Sequence, residues 1–471
     1  MAHRRIALGS SRVHPGLTNR LPAEILSEIF KVYAASNPQL LDQRVVDLRL
    51  VGRFWNTIAN DTPQLWTKIN LSFPFADDHR AVASERIRAS RTEKIDVSID
   101  FRDPNWNGEE HPHDGIGSRA ANKSIWVNNV TTVLLGTETR WRSIVVKSDT
   151  WLPLFKLMEA WNCTNLPSLE SISMERANTE FGMHRVRFSP QMFVGPMTLF
   201  GQRALLPRLR DLSLSAVHVD WDDLCVGFRN LRKLELKNQT NDVGPSFEQF
   251  AAMLSSSPQL EHLDIFGFCP EHHTRPAFPV GGDPEAPVVH LPALKVLIFG
   301  WKNVDLGCTF LEMFQIGSSL ESLTLLDTES GLGDWRDPRG RCWHQSSEEI
   351  FEVLNVLGKA APKDEDELPP VPFISMCGVK RLEIIWTKTT PEALVRFLRM
   401  LTELKHVRLE DVDRSVLESV SRIWGSRVTT NRWLRRVDLE WKWQKGIPSF
   451  AGGPILDLNN VGIEVSVQTE E

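Results

Sequence analysis

The chain has 471 residues, with 54 Lys and Arg against 60 Asp and Glu, a formal net charge of -6 and 41% hydrophobic residues. This balance gives no overall basic field, which disfavours a protein that holds nucleic acid through its phosphates. No run approaches the roughly eighteen consecutive apolar residues of a membrane span, and the first residues lack the apolar core of a signal peptide. We therefore expect a cytoplasmic or nuclear protein with no membrane or nucleic-acid partner.

The length predicts two or more domains, or one array of repeats. Residues 1–18 contain no periodic apolar pattern, so we expect a disordered N-terminus. The chain has six cysteines, widely separated along the sequence. This spacing, in a chain too long to need disulfides for stability, is typical of reduced and mostly buried thiols.

The first periodic segment is "LPAEILSEIFKVY". Its apolar residues recur at spacings of three and four, which places them on one broad face of a helix. These residues are Leu21, Ile25, Leu26, Ile29, Phe30 and Tyr33. Asn37 and Pro38 disfavour its continuation, so the helix should end there.

A second helical pattern runs through "DQRVVDLRLVGRFWNTIA", where Gly52 is a possible bend or break. It is followed by "TPQLWTKINLSF", in which Ile69, Leu71 and Phe73 alternate as in a short strand. About forty-five residues of helical hairpin carry more apolar surface than so small a core can bury, so the segment should need a neighbour. From periodicity alone, that neighbour could be the end of a repeat array, with the helices serving as its cap.

The stretches "LPAEILSEIF" and "LRLVGRFWNTIANDTPQLW" resemble an F-box motif, in the form common in large fungal families. The match covers residues 21 to about 66, with Gly at position 52 where that form often has Cys, and we assign the F-box to residues 19–66. The resemblance implies three helices that dock onto the small Skp-family adaptor of cullin-RING ubiquitin ligases. It also implies the adaptor-contacting residues, some of which could instead form the internal core of the F-box: Leu21, Pro22, Ile25, Leu26, Leu50, Val51 and Trp55.

From residue 166 onward one phrase recurs, close to L-x-x-L-x-L, for example "LPRLRDLSL" and "SPQLEHLDI". Its last two apolar positions point to one face of a strand, and the earlier leucine packs from the preceding turn into the same core. The anchor positions are Leu169, Leu209, Leu231, Leu260, Leu294, Leu320, Val379, Leu404 and Leu434. Such self-similarity indicates stacked parallel strands whose outer, concave surface holds a partner.

The phrase resembles leucine-rich repeats, although its spacing is irregular. The fold class is therefore predicted as α/β, a three-helix F-box followed by an irregular leucine-rich-repeat solenoid with strands inside and helices and loops outside. Earlier strands are predicted around Ile95, Val97, Ile99, Ile144 and Val146. The array should span residues 67–460, with insertions near 101–124, 267–287 and 327–370, and a tail at 461–471.

Metal-ligand side chains occur at His262, Cys269, His272 and His273. Adjacent histidines bind one metal only with a distorted backbone, and no second cysteine pair stands nearby, so a polar loop is favoured over zinc. No G-x-S-x-G or H-E-x-x-H motif occurs, and "GLG" at residue 331 lacks the strand and helix of a dinucleotide site. We predict no cofactor, no metal and no catalytic residue.

These patterns favour a non-enzymatic adaptor that joins a ubiquitin ligase to a protein target held on the repeat surface. The alternative is a repeat protein that binds its partner outside any ligase, with the N-terminal helices only capping the array. A hydrolase or transferase with its site in the loops is a third and weaker hypothesis. The first two hypotheses differ in one observable, since a docking module exposes the apolar residues of its helices and a cap buries them against the first strands.

Overall fold

The computed structural model describes residues 21–37, 40–75, 77–103, 118–162, 165–177, 206–222, 228–240, 242–267, 288–301, 304–327, 374–385, 401–410, 436–441 and 464–469, with isolated positions at 199, 224, 394, 397, 398 and 400. The predicted residues Cys269, His272, His273 and Leu434, the N-terminus up to residue 20 and most of the three insertions lie outside these ranges.

Three short helices open the described chain: α1 (Ala23–Ala35), α2 (Leu41–Leu50) and α3 (Arg53–Asn60). The predicted second helical segment is divided at Gly52, whose extended backbone separates α2 from α3. A 3-10 turn at Pro63–Trp66 then leads into the first strand. We call residues 21–66 the N-terminal module. The predicted order of N-terminal helices followed by a parallel sheet is confirmed.

Fifteen strands follow the module in the described part of the chain, and thirteen of them form one parallel sheet. The strands in chain order are β1 (Lys68–Ser72), β2 (Ile95–Asp100), β3 (Trp141–Ser148), β4 (Ser171–Arg176), β5 (Asp211–Ser215), β6 (Lys233–Lys237), β7 (His262–Phe266), β8 (Val289–His290), β9 (Val296–Trp301), β10 (Phe314–Gln315), β11 (Ser322–Asp327), β12 (Arg381–Ile385), β13 (His406–Glu410), β14 (Arg436–Trp441) and β15 (Glu464–Thr469). Their order in the sheet follows the chain, except that the two-residue β8 and β10 pair with each other.

The strands stack in a register that lines up their apolar residues. One continuous row of buried side chains crosses the sheet from β1 to β13: Ile69, Val97, Ile144, Ile172, Leu212, Leu234, Leu263, Leu297, Leu323, Leu382 and Val407. Burying one such side chain contributes roughly 1.5 to 3 kcal/mol, so the row is a main source of the sheet's stability. The anchors from Leu169 to Leu404 are also buried, as the repeated phrase predicts.

Helices cover the apolar face of the sheet. They are α4 (Asp77–Ala89), α5 (Ser118–Leu134), α6 (Trp151–Trp161), α7 (Phe247–Ser255) and α8 (Val304–Leu311). In α7, the Ser246 hydroxyl accepts from the Gln249 amide while the Gln249 side chain accepts from the Ser246 amide, which satisfies two free donors at the helix start. None of the helices in the described part of the chain is both long and apolar enough to cross a bilayer.

Successive strands end in turns of the same kind. Ala216, Asn238 and Gly267 directly follow β5, β6 and β7, and all three have a positive φ, between 53° and 64°. The Asn238 side chain donates to the Ser215 hydroxyl, at 3.4 Å, in the turn beside it. Asparagine and glycine adopt this conformation at little cost, so the turns at Asn238 and Gly267 fit their residues, whereas Ala216 adopts it against the preference of its side chain.

Two expectations are corrected by the structure. Strand β15 lies within residues 461–471, the segment expected to be a tail, and pairs with β14, so the sheet extends past position 460. Cys377 is exposed and Cys308 is half-buried, so the expectation of buried thiols does not hold for these two cysteines. The assignment to the leucine-rich-repeat class stays a prediction.

Candidate functional site

Helix α1 has an apolar face wider than its neighbours can cover. Leu26, Phe30 and Ala34 point into the core of the module, where they are buried. A second apolar stripe, about 100° further round the helix, lies in solvent. We call this stripe, together with Leu21 just before the helix, the α1 patch; its helical members are Ile25, Ile29, Val32 and Tyr33.

A second exposed apolar group lies where α2 meets α3. Leu50 is 76% exposed, Val51 60% and Phe54 42%, and we call these three residues the junction patch. Gly52 separates the two helices at this point, so the three side chains lie on either side of a helix break rather than along one helix. Single exposed apolar residues are normal on protein surfaces, but a contiguous group is a sign of a docking surface.

The module has a buried core of its own that does not include either patch. Its own core comprises Leu26, Phe30, Ala34, Val45, Leu48, Ile58, Ala59, Leu65 and Trp66. The Trp66 indole donates to the carbonyl of Ala59 at 2.9 Å, and the Ser27 and Thr62 hydroxyls lie 3.0 Å apart. Because the polar groups are satisfied and the core is closed, the exposed patches are not needed for folding of the module.

Five of the seven predicted contact residues lie at the surface: Leu21, Pro22, Ile25, Leu50 and Val51. The other two do not. Leu26 is only 1% exposed, and Trp55 is half-buried with its ring centroid 4.9 Å from that of Phe30. Helix periodicity explains the difference, because Leu26 falls on the side of the apolar arc that faces α2 and α3.

Sequence reasoning missed part of the exposed surface. It placed Ile29 and Tyr33 on the apolar face of the first helix without assigning them to the contact, and it did not select Val32 or Phe54. The missing signal was the width of the face. Six large apolar residues in the thirteen positions of α1 span an arc of about 160°, of which the core of the module covers only one side.

The module is fixed to the sheet by a buried arginine. Arg86 of α4 is 8% exposed and its guanidinium lies 2.8 Å from the Asp42 carboxylate on α2. The same guanidinium donates to the carbonyl of Lys68 on β1 at 2.9 Å. Arg91 pairs with Asp61 at 2.9 Å nearby. These contacts hold the module at the β1 end of the sheet while both patches stay in solvent.

The exposed patches also separate the two leading hypotheses. A cap would bury the α1 side chains against the first strands, whereas Ile25 is 48% exposed. The core of the module and the core of the sheet are distinct clusters, with Ala89 of α4 packing against the module. This arrangement favours a docking module over a cap.

The opposite side of the sheet carries polar side chains between the buried rows, and we call it the polar face. Its centre holds a charge network in which Lys237 contacts Asp264 at 2.6 Å and Lys233 contacts Glu235 at 2.8 Å. Burial raises the pKa of Asp264, and burial together with the charge of Lys233 lowers the pKa of His262. The network therefore combines ionised pairs with a histidine that favours its neutral form.

The side-chain ligand atoms of Glu235, His262 and Asp264 lie within 4.8 Å of one another. Carboxylate and imidazole are suitable ligands for several metal ions. Both carboxylates, however, already bond to lysines, so a metal ion would enter beside two ammonium groups. The lysines supply the counter-charge that the carboxylates need, while Asp264 Oδ1 and His262 Nε2 are buried without a hydrogen-bond partner among the described residues.

Comparison with known families matches residues 18–72 to the family described as F-box-like. Residues 18–72 form an F-box-like domain. It contains all three helices of the N-terminal module and extends through β1. No curated protein matches the chain. F-box domains typically bind Skp-family adaptors, and F-box proteins are generally non-catalytic adaptors of SCF-type ubiquitin ligases. The F-box-like domain therefore suggests an adaptor role of this general kind.

Proposed function

We propose that the protein is a substrate-recognition adaptor of a cullin-RING ubiquitin ligase of the SCF type. One observation carries the proposal: an F-box-like domain closes its own core and still leaves two apolar patches in solvent. Apolar surface of this kind is stabilised by a partner, and the partner that the domain type implies is a Skp-family adaptor. The cullin then joins through that adaptor.

Within this proposal the contact residues are Leu21, Pro22, Ile25, Leu50 and Val51, extended by Ile29, Val32, Tyr33 and Phe54. Leu26 and Trp55 take a different role, since they pack inside the module and hold α1 against α3. The patches resemble the helix-in-groove mode of recognition, in which side chains at helical spacing enter an apolar groove of the partner.

The sheet holds the target protein in this account, as an irregular leucine-rich-repeat surface would. Thirteen parallel strands provide a long rigid support, and their polar face offers side chains of both charges. No catalytic residue is required of this chain. Bringing a target lysine close to a charged conjugating enzyme raises its effective concentration, and this is sufficient to promote transfer. We place this action in the cytoplasm or nucleus.

The proposal is tested by mixing the purified chain with a Skp-family adaptor and a cullin and separating the complexes by size-exclusion chromatography. We expect the wild-type chain to elute with both proteins. The variant Ile25→Glu/Leu50→Glu should elute alone, because each substitution places an unpaired carboxylate in the contact. Both positions are exposed, so the variant should fold normally.

The matched control is Val82→Glu/Leu135→Glu, which changes two exposed apolar residues outside the module in the same way. It should bind as the wild type does. If the folded wild-type chain captures no adaptor, the ligase role is wrong. The alternative, a ligase-independent leucine-rich-repeat scaffold, is then favoured, with the F-box-like domain serving another contact.

A further inference from the structure

The edge of the thirteen-stranded sheet at which the strands begin carries a series of charged residues, one just before each of its strands from β2 to β13. Neighbouring positions on this edge form ion pairs of opposite sign. Glu261 and Lys295, before β7 and β9, lie 2.7 Å apart. Glu321 and Lys380, before β11 and β12, lie 2.9 Å apart. Opposite charges on adjacent strands are the favourable arrangement, so these pairs need no further explanation.

The pattern changes between β5 and β6, where arginines occupy both positions. The amide of Arg232 donates to the carbonyl of Arg210 at 2.7 Å, which places the two residues side by side. The Arg210 guanidinium donates to the carbonyl of Asn230 at 3.1 Å, so it leans over the turn that leads into β6. Neither guanidinium has a carboxylate within ion-pair distance among the described residues.

Two further arginines lie in the turns before the same strands. Arg208 and Arg229 are exposed, and in the described part of the chain they form no ion pair. The acidic residues on either side of this group are already paired: Glu170, before β4, lies 2.6 Å from Lys94, and Glu261 is held by Lys295. We call Arg208, Arg210, Arg229 and Arg232 the arginine edge.

The arginine edge places four cations in two adjacent turns, where they outnumber Asp211 and Glu261, the two acids on which the charge of Arg232 acts, so an anionic partner would meet a local excess of positive charge. Guanidinium is the side chain best suited to carboxylates, because its planar group donates two parallel hydrogen bonds and is weakly hydrated. We propose that the arginine edge binds an Asp- and Glu-rich segment of a partner protein. This goes beyond the adaptor role, and its test uses the chain alone, so either proposal can fail without the other.

Charge favours an acidic peptide over nucleic acid as the occupant. The whole chain carries a net charge of -6, which opposes a long polyphosphate whose many charges extend beyond the edge. A short carboxylate-rich segment would contact only the cations of the arginine edge. Its binding should weaken steeply with added salt, since exposed charges are screened over about 10 Å at 0.1 M ionic strength.

The test uses a fluorescein-labelled glutamate-rich peptide, titrated with the full purified chain and followed by fluorescence anisotropy. We expect saturable binding that weakens about tenfold in Arg210→Gln/Arg232→Gln, since two charge-assisted contacts are lost. Arg208→Gln/Arg229→Gln, which changes only turn residues, should weaken binding in the same direction. If Arg210→Gln/Arg232→Gln folds poorly, this second variant still tests the proposal.

The matched control is Arg88→Gln/Lys405→Gln, which removes two exposed cations elsewhere and lowers the net charge equally. Its dissociation constant for the peptide should stay within about twofold of the wild-type value. This change is smaller than the loss of one contact between charged groups would cause. Equal weakening in the control and the edge variants would overturn the proposal, as would no binding by the wild type. Tighter binding of a single-stranded oligonucleotide that depends on the same arginines would also overturn it, since the occupant would then be a phosphate chain.

Discussion

Ile25 and Leu26 are consecutive in the chain, yet they lie on different sides of the apolar arc of α1. Ile25 is 48% exposed and Leu26 is 1% exposed. A substitution at one should therefore affect binding, and a substitution at the other should affect folding. The two residues provide a test of this division within one helical turn.

We predict that Leu26→Ala lowers the free energy of unfolding by about 2 to 5 kcal/mol, because it removes buried methyl groups and leaves a cavity. Ile25→Ala should change it by about 0.5 kcal/mol or less, since the side chain is already in water. Chemical denaturation of both variants, monitored by tryptophan fluorescence, measures the two values. Equal destabilisation by both variants would contradict the arrangement of α1 described above.

At the residue scale, the sequence indicated which side chains of the module are apolar but not how they are divided between core and surface. Periodicity placed Leu26 and Ile25 on one broad face. Only the positions of α2 and α3 decide that Leu26 is covered, since Val45 of α2 and Ile58 of α3 belong to the same buried cluster. The spacing of apolar residues by three or four positions does not show which of them contact a neighbouring helix across a sharp turn.

At the element scale, α4 connects the module to the sheet. Arg86 reaches Asp42 on one side and the carbonyl of Lys68 on the other, and Ala89 of the same helix packs on the core of the module. A buried guanidinium with two partners fixes the relative position of the elements that it joins. The module is thereby held in one orientation, which an adaptor needs if it is to present its target at a defined place.

We predict that Arg86→Met destabilises the chain by about 1 to 3 kcal/mol, because Asp42 and the Lys68 carbonyl lose their charged donor. Methionine keeps the apolar stem, so the loss reports on the guanidinium rather than on packing. Arg88→Met, an exposed position on the same helix, should have an effect of about 0.5 kcal/mol or less. The measurement is the denaturation midpoint of each variant, and similar shifts for both would show that Arg86 does not join the module to the sheet.

The N-terminal helices and most of the longer strands could be predicted from the sequence, because their apolar residues follow a clear period, whereas the helices α4, α5 and α6 were not predicted individually. The strands around Ile69, Val97 and Ile144 are examples, and all three residues are buried in the sheet. The two-residue strands β8 and β10 were missed, since two positions carry no periodicity. Strand β15 was missed because its segment, "EVSVQT", follows a stretch without the repeated leucine phrase.

At the scale of the whole molecule, two cores lie side by side: one in the module and one beneath the sheet. Repetition of the leucine phrase predicted that the strands are parallel and follow chain order, because each copy repeats the same step. The charge contacts between the module and the sheet could not be predicted. Asp42 and Arg86 are 44 positions apart and belong to no repeat, so nothing in the sequence pairs them.

We propose that the exposed apolar patches of the F-box-like domain bind the Skp-family adaptor while the sheet stays free of it. The direct test is hydrogen–deuterium exchange of the full chain, measured with and without saturating adaptor. We predict slower exchange in α1 and at the α2–α3 junction, and no change in β4 to β13. Protection confined to the strands of the sheet, or no protection anywhere, would contradict the claim.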